Sequence, residues 1–327
     1  MLAFILVAVL SATPTEHDFV VKDFHFAGGE TMPEVRMHYV TYGTNRGNNA
    51  VLILHGTGGS SRQFLSDNFA GVLFAPGGLL DANRFFIVIP DNIGHGKSTK
   101  PSDGLLDQFP HYTYTDMIEL QHRLLADGLG ITHLYLVLGT SMGAMHAWMW
   151  GERWPDAMDA LVPLASAPAQ IAGRNRVWRE MVIDDLHRGD VEAAVQILMI
   201  ATSAPLVWQK AAPTRDDADR WLTGQLKTRL ATTNAEDLLY AVEASRDYDP
   251  STQLERITAP LLAINSADDF VNPPELGIVE ALIKRVKHGR FLLIPISSET
   301  RGHGTHTAAA VWKSALAEFL AGIPATP

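Results

Sequence analysis

Gly139-Thr140-Ser141-Met142-Gly143 is a G-x-S-x-G pentapeptide, placed where a short apolar run, residues 134–138, gives way to a helical pattern over residues 142–154. A serine on a sharp strand-to-helix turn sits in a strained backbone, so the residues two before and two after it must be small. Its hydroxyl projects from the carboxyl end of the strand, beside the positive end of the helix, where an alkoxide and then an oxyanion are stabilised. A serine at its ordinary pKa is a weak nucleophile. It needs an adjacent base, itself oriented by a third group.

Both partners have candidates downstream. Asn265-Ser266-Ala267-Asp268-Asp269-Phe270-Val271-Asn272-Pro273 is an acidic loop following the apolar run 260–264, and Gly302-His303-Gly304-Thr305-His306 follows the run 290–294. The order Ser, Asp, His is the one that a strand-turn-helix nucleophile uses. Asp269, four residues before Pro273, and His303, directly after Gly302, are preferred to their neighbours. Asp268 reads as a side chain bonded to its own loop, and His306 as a residue near the first turn of the last helix. The expected triad is Ser141, Asp269 and His303. A tetrahedral intermediate also needs two backbone N–H donors, assigned to Met142, after the nucleophile, and to Thr57 in the loop His55-Gly56-Thr57-Gly58-Gly59. His55 itself reads as a histidine that holds this loop in place.

Other chemistries are excluded. Gly94-His95-Gly96-Lys97-Ser98-Thr99 contains Gly-Lys-Ser, but Asp91 stands where a phosphate-binding loop has its first glycine. The 13 histidines show no H-E-x-x-H or similar spacing, so no catalytic metal and no cofactor are expected. Without cysteine there is no thiolate nucleophile and no disulfide. The net charge of -10, from 26 basic and 36 acidic residues, gives no footprint for nucleic acid.

The elements that must position these residues follow from patterning. Runs 17–26 and 35–42 read as a hairpin. Runs 51–55, 85–90, 134–138, 160–164, 260–264 and 290–294 are short and almost continuously apolar, as strands buried on both faces of a parallel sheet are. Helix-length segments at 115–129 and 142–154 alternate with them, so the fold class is α/β, a doubly wound and mostly parallel sheet. Residues 166–258 show helical periodicity without a strand and read as a helical cap inserted after the sixth strand. The core is then 17–165 with 259–327. Trp178, Met181, Met199 and Trp208 are expected to line an apolar substrate pocket under that cap, and Arg174, Arg176 and Arg179 to sit on a solvated helix face. Residues 307–321 form the final helix, stopped by Gly322 and Pro324. Residues 1–10 are unbroken apolar sequence followed by Ser11, Ala12 and Thr13, the pattern of a signal-peptide end with no preceding Lys or Arg. Export to the periplasm or beyond is the expectation, a cytoplasmic protein the alternative.

Together, His55-Gly56 with Gly58-Gly59, Asp91 with Gly94-His95-Gly96-Lys97-Ser98, Gly139 to Gly143, Asp269 and Gly302-His303 resemble the α/β-hydrolase superfamily across the whole catalytic core. More narrowly, residues 81–92, 109–131 and Ser141-Met142-Gly143-Ala144-Met145 look like the homoserine O-acetyltransferase family. That resemblance implies an acyl-serine intermediate, a helical cap and ping-pong transfer of acetyl from coenzyme A to an alcohol. The chain departs from the family with Thr140 and Ala144 in place of glycine and Gly304 in place of aspartate. Residues 193–203 also lack the arginine that grips an amino-acid carboxylate. The expectation is therefore a serine hydrolase of a small carboxylic ester or related acyl compound, with O-acyl transfer from acetyl coenzyme A as the alternative. A small-molecule acyl substrate is the expected partner, with no nucleic acid, no stable membrane insertion and at most a second copy in a homodimer.

Overall fold

The computed structural model describes residues 13–324. The apolar N-terminal run read as a signal-peptide end lies outside them, but for Thr13. Among the described residues no single helix is long and apolar enough to cross a membrane.

Eight strands form one sheet: β1 (Thr15–His25), β2 (Thr31–Tyr42), β3 (Ala50–Leu54), β4 (Phe86–Pro90), β5 (Leu136–Thr140), β6 (Leu161–Leu164), β7 (Leu261–Ser266) and β8 (Gly289–Ile294). Their spatial order is β1-β2-β4-β3-β5-β6-β7-β8. The β1–β2 hairpin is antiparallel and meets β4 antiparallel, and every later pairing is parallel. Strands β3 to β7 are buried along their whole length because both sheet faces are covered. Successive side chains alternate between two cores: Val51 and Ile53 pack with Phe69, Phe74 and Trp312, while Leu52 and Leu54 pack with Ile118, Trp148 and Trp150.

The covering helices are α1 (Tyr114–Arg123) and α2 (Met142–Arg153) on one face and the last helix, Ala309–Leu320, on the other. A capping box starts α1: Thr113 Oγ1 accepts from the Asp116 amide at 3.3 Å, and the Asp116 carboxylate accepts from the Thr113 amide at 2.8 Å. The helix is shorter than its periodicity suggests, because residues 124–128 open into a wide π turn. Strand β5 runs two residues further than its apolar run, so Ser141 follows the strand directly. Between β6 and β7 lie five helices: α3 (Gly173–His187), α4 (Val191–Ala201), α5 (Pro205–Ala211), α6 (Arg215–Leu230) and α7 (Ala235–Glu243). Val182, Ile183, Leu186, Ala194 and Val242 form a core shared by α3, α4 and α7, whereas α5 and α6 bury no residue.

Glu152, near the end of α2, is the one acidic side chain that burial pushes far up, to about 8, with the positive charge of Arg256 offsetting only part of the penalty. Its Oε1 is buried and accepts no hydrogen bond among the described residues. Between the ordinary carboxyl value and 8 the folded chain therefore holds a proton that the unfolded chain has lost, so this group destabilises the fold increasingly as pH rises through that window. Glu152→Gln should raise Tm by a few degrees at pH 8 and leave it unchanged near pH 4, where both forms are neutral. Calorimetry at the two pH values checks this, and an equal shift at both contradicts it.

Candidate active site

Ser141 ends β5 and begins α2 with φ 53° and ψ -115°, a left-handed conformation that a side chain adopts at a cost. The turn is tight because a Cβ on Gly139 would collide with the Gly143 carbonyl, and one on Gly143 would collide with the Leu54 carbonyl of β3. The Ser141 amide donates to Leu164 O of β6 at 2.9 Å, which fixes the turn against the neighbouring strand. Ser141 Oγ then lies 2.8 Å from His303 Nε2.

His303 Nδ1 is 2.9 Å from Asp269 Oδ2 and 3.1 Å from Oδ1. With Nδ1–H donating to the carboxylate, Nε2 is left as the acceptor for the Ser141 hydroxyl. Asp269 is fixed by other donors as well: the Val271 amide at 2.8 Å, the Asn272 amide at 3.3 Å and Asn272 Nδ2 at 3.1 Å. Burial alone would raise its pKa. The His303 charge and these hydrogen bonds outweigh burial and hold the carboxyl below its ordinary range. Asp268 turns the other way, accepting from Ser266 Oγ and, at 3.0 Å, from the Gly302 amide, so it ties the acidic loop to the histidine loop. His306 packs edge-on against His303, ring centroids 5.2 Å apart, in a short 3-10 turn before the final helix. Burial, and then repulsion from His303, drive its pKa down to about 3, which leaves it neutral.

The amides of Thr57 and Met142 donate no hydrogen bond among the described residues, and Gly56 packs directly against the Ser141 side chain. Both amides are thus free beside Ser141. Gln63, which patterning did not single out, holds this loop: its Oε1 accepts from the Gly56 amide at 3.3 Å, and its Nε2 donates to Thr140 Oγ1 at 3.0 Å. Thr140, in place of the family's glycine, has this bond as its role. His55 is fully buried and neutral, donating from Nδ1 to Gly56 O at 2.8 Å and accepting the Asn92 amide on Nε2 at 3.0 Å. The Gly94–Ser98 loop wraps a carboxylate of its own chain: Asp91 accepts from the Ser61 and Lys97 amides at 2.6 and 2.8 Å. A phosphate there would meet like charge. Among the described residues no group of three or more His, Asp or Glu is placed to hold a metal.

A cavity of about 550 Å³ opens above Ser141 and His303, between the β3 and β8 loops and α3, α4, α6 and α7. The expected apolar pocket needs correction. Trp178 lines this cavity, but Met181 is 51% exposed on the opposite side of α3, about 200° around the helix from buried Arg179. Met199 and Trp208 line a separate hollow with Trp221, Ile200 and Pro205, because α4 presents Leu198 to the Ser141 cavity and the next residue to the other side. Arg179 also departs from expectation. It is 3% exposed, lies in the Ser141 cavity, stacks on Trp178 at 4.6 Å and bonds to Asn175 Oδ1 at 3.0 Å and Ser245 Oγ at 3.2 Å. Among the described residues no carboxylate pairs with it.

Backbone strain at Ser141 is testable without an assay. Ser141→Gly removes the left-handed penalty, about 1–3 kcal/mol, at an entropic cost of up to about 1 kcal/mol. Ser141→Gly should therefore melt a few degrees above Ser141→Ala. Equal melting temperatures would contradict a strained turn.

Comparison with known proteins places this geometry. The sequence pattern of the alpha/beta hydrolase fold family matches residues 49–294. The homoserine O-acetyltransferase of Haemophilus influenzae is 30% identical over 287 residues, covering 75% of this chain and 79% of that one. Among solved structures, the homoserine O-acetyltransferase from Bacillus anthracis superposes with a TM-score of 0.83 at 20% identity, over 96% of this chain and 99% of that one. Esterase E22 superposes with a TM-score of 0.81 at 20% identity, over 94% and 100%. These two superpositions speak for the fold alone. The chain belongs to the alpha/beta hydrolase fold family, and its relatives include homoserine O-acetyltransferases.

Proposed function

We propose that the protein is a serine-dependent hydrolase of small carboxylic esters that works through an acyl-Ser141 intermediate. The observation that carries this reading is the unbroken hydrogen-bonded line from Asp269 through His303 to Ser141. As Ser141 Oγ attacks the ester carbonyl, His303 Nε2 takes the hydroxyl proton, and the buried Asp269 carboxylate stabilises the resulting imidazolium. The carbonyl oxygen, now an oxyanion, accepts from the free amides of Thr57 and Met142. Collapse breaks the bond to the alkoxy group, which leaves with the proton from His303. Water then repeats the sequence on the acyl-serine, giving the acid and free Ser141. Arg229 and Thr232 at the exposed edge of the cavity give water a polar way in.

Acyl transfer to an alcohol shares the same intermediate and is the second reading. Two observations favour it: the 30% identity to a homoserine O-acetyltransferase, and the Arg179 guanidinium in the cavity, a counter-charge for an acidic substrate. Incubation with acetyl coenzyme A and a panel of alcohols separates the two. Thiol release accelerated by an alcohol, with an O-acetyl product, would replace the hydrolytic reading. Release unaffected by any alcohol supports it.

Ser141→Ala should lower kcat on a small ester by at least about a thousandfold. Asp269→Asn should cost about 10⁴, since it sets the wrong tautomer on His303, while Asp268→Asn costs far less. Near-full activity in Ser141→Ala, or the reverse ranking of the two aspartates, would sink the assignment.

A further inference from the structure

A second cavity, of about 500 Å³, lies behind the acidic loop, lined by Met145, Ala167, Ile171, Val279, Phe291 and Leu293 among others. That volume is ordinary for a small-molecule site. Its floor is close to the chemistry, since Met145 is one helical turn beyond Ser141. Four polar residues along its wall are already satisfied by the protein itself: Asn265 exchanges hydrogen bonds with the Ser166 N–H and C=O, Tyr248 OH donates to Ala167 O at 3.0 Å, Asn272 Nδ2 donates to Ala165 O at 2.9 Å, and Asn175 accepts from Arg179 and donates to Val271 O. Its remaining polar and charged lining residues, Gln170, Arg174, Glu275 and Glu280, all keep solvent exposure. The interior therefore offers burial to an apolar chain and no unmet hydrogen bond to a polar one.

One residue faces both this cavity and the one above Ser141: Val271, 6% exposed. Its backbone cannot swing aside freely, because its N–H is held by Asp269 at 2.8 Å and its C=O accepts from Asn175 Nδ2 at 3.3 Å. A β-branched side chain on a fixed backbone has few rotamers to choose from. We infer that the second cavity is a closed annex to the Ser141 cavity, open to the apolar chain of an ester only once Val271 is cut back, and that Val271 is the wall that restricts the protein to short chains.

The inference rests on the acyl-Ser141 reading, and the test separates the two. Two ester series are compared: p-nitrophenyl esters of acids from acetyl to octanoyl, and acetates of alcohols of rising length, which distinguish the acyl side from the alcohol side. The quantity read is the ratio of kcat/KM for the long to the short member within each protein, so that a general loss of activity cancels. In the unaltered protein the ratio should fall steeply with length in the series whose chain faces Val271. Val271→Ala should raise it by about fourfold for each methylene admitted, and adding Ile171→Trp, which refills the annex, should abolish the gain. Unaltered protein whose ratio falls with length in neither series, an unchanged ratio in Val271→Ala for both series, or a gain that survives Ile171→Trp would each overturn the inference. Absence of Ser141-dependent turnover on any ester would instead remove the reading beneath it.

Discussion

The close approach of β3, β5 and the start of α2 is the constraint on which the rest depends. Gly143 lies against the Leu54 carbonyl with no room for a methyl group, and Gly139 lies against the Gly143 carbonyl in the same way. That contact forces the chain at Ser141 into a left-handed conformation, and the strained turn lifts the hydroxyl out of the sheet. The same approach brings Gly56, and hence the free Thr57 amide, alongside the serine, while Met142 becomes the first residue of a helix whose amide has no partner within it. Strain is tolerable here because β5 is central, paired on both sides by parallel strands whose side chains are wholly buried. The hydrophobic cores on the two sheet faces thus stabilise a turn that local preference alone would reject.

Electrostatics completes the arrangement from the other end of the sheet. Asp269 is buried, yet four donors keep it ionised, and His303 lies between this fixed negative charge and the serine. Nearby histidines are kept neutral by burial: His55, His146 and His306 cannot charge without losing their packed environments. Among the described residues, His303 is the one imidazole that bonds to Ser141.

Much of this was legible in the chain because it depends on local steric rules or on burial from both sides. Val51 to Leu54 and Phe86 to Pro90 read as buried strands since every side chain there faces a core. The glycines around Ser141, with Gly58 and Gly59 after β3 and Gly302 after β8, mark positions where a side chain cannot fit or φ is positive. What was not legible depends on the facing of the helices between β6 and β7. Residues 191–201 are almost all apolar, so periodicity does not distinguish Leu198, which faces Ser141, from Met199, which faces another hollow. Arg174, Arg176 and Arg179 looked like one solvated stripe, but their spacing spreads them around α3, and only Arg179 turns inward. Gln63 carried no motif. Its role joins the Gly56 amide to Thr140, 77 residues away, a pairing that only the folded chain makes.

The central claim is that Ser141 becomes acylated. Rapid quenching of the protein with excess p-nitrophenyl acetate, followed by mass spectrometry of its peptides, measures this directly. The account requires one acetyl group on the peptide containing Ser141, appearing in the burst phase and decaying as substrate is exhausted. Steady turnover with no acetyl on that peptide, or with acetyl on another residue alone, would contradict it.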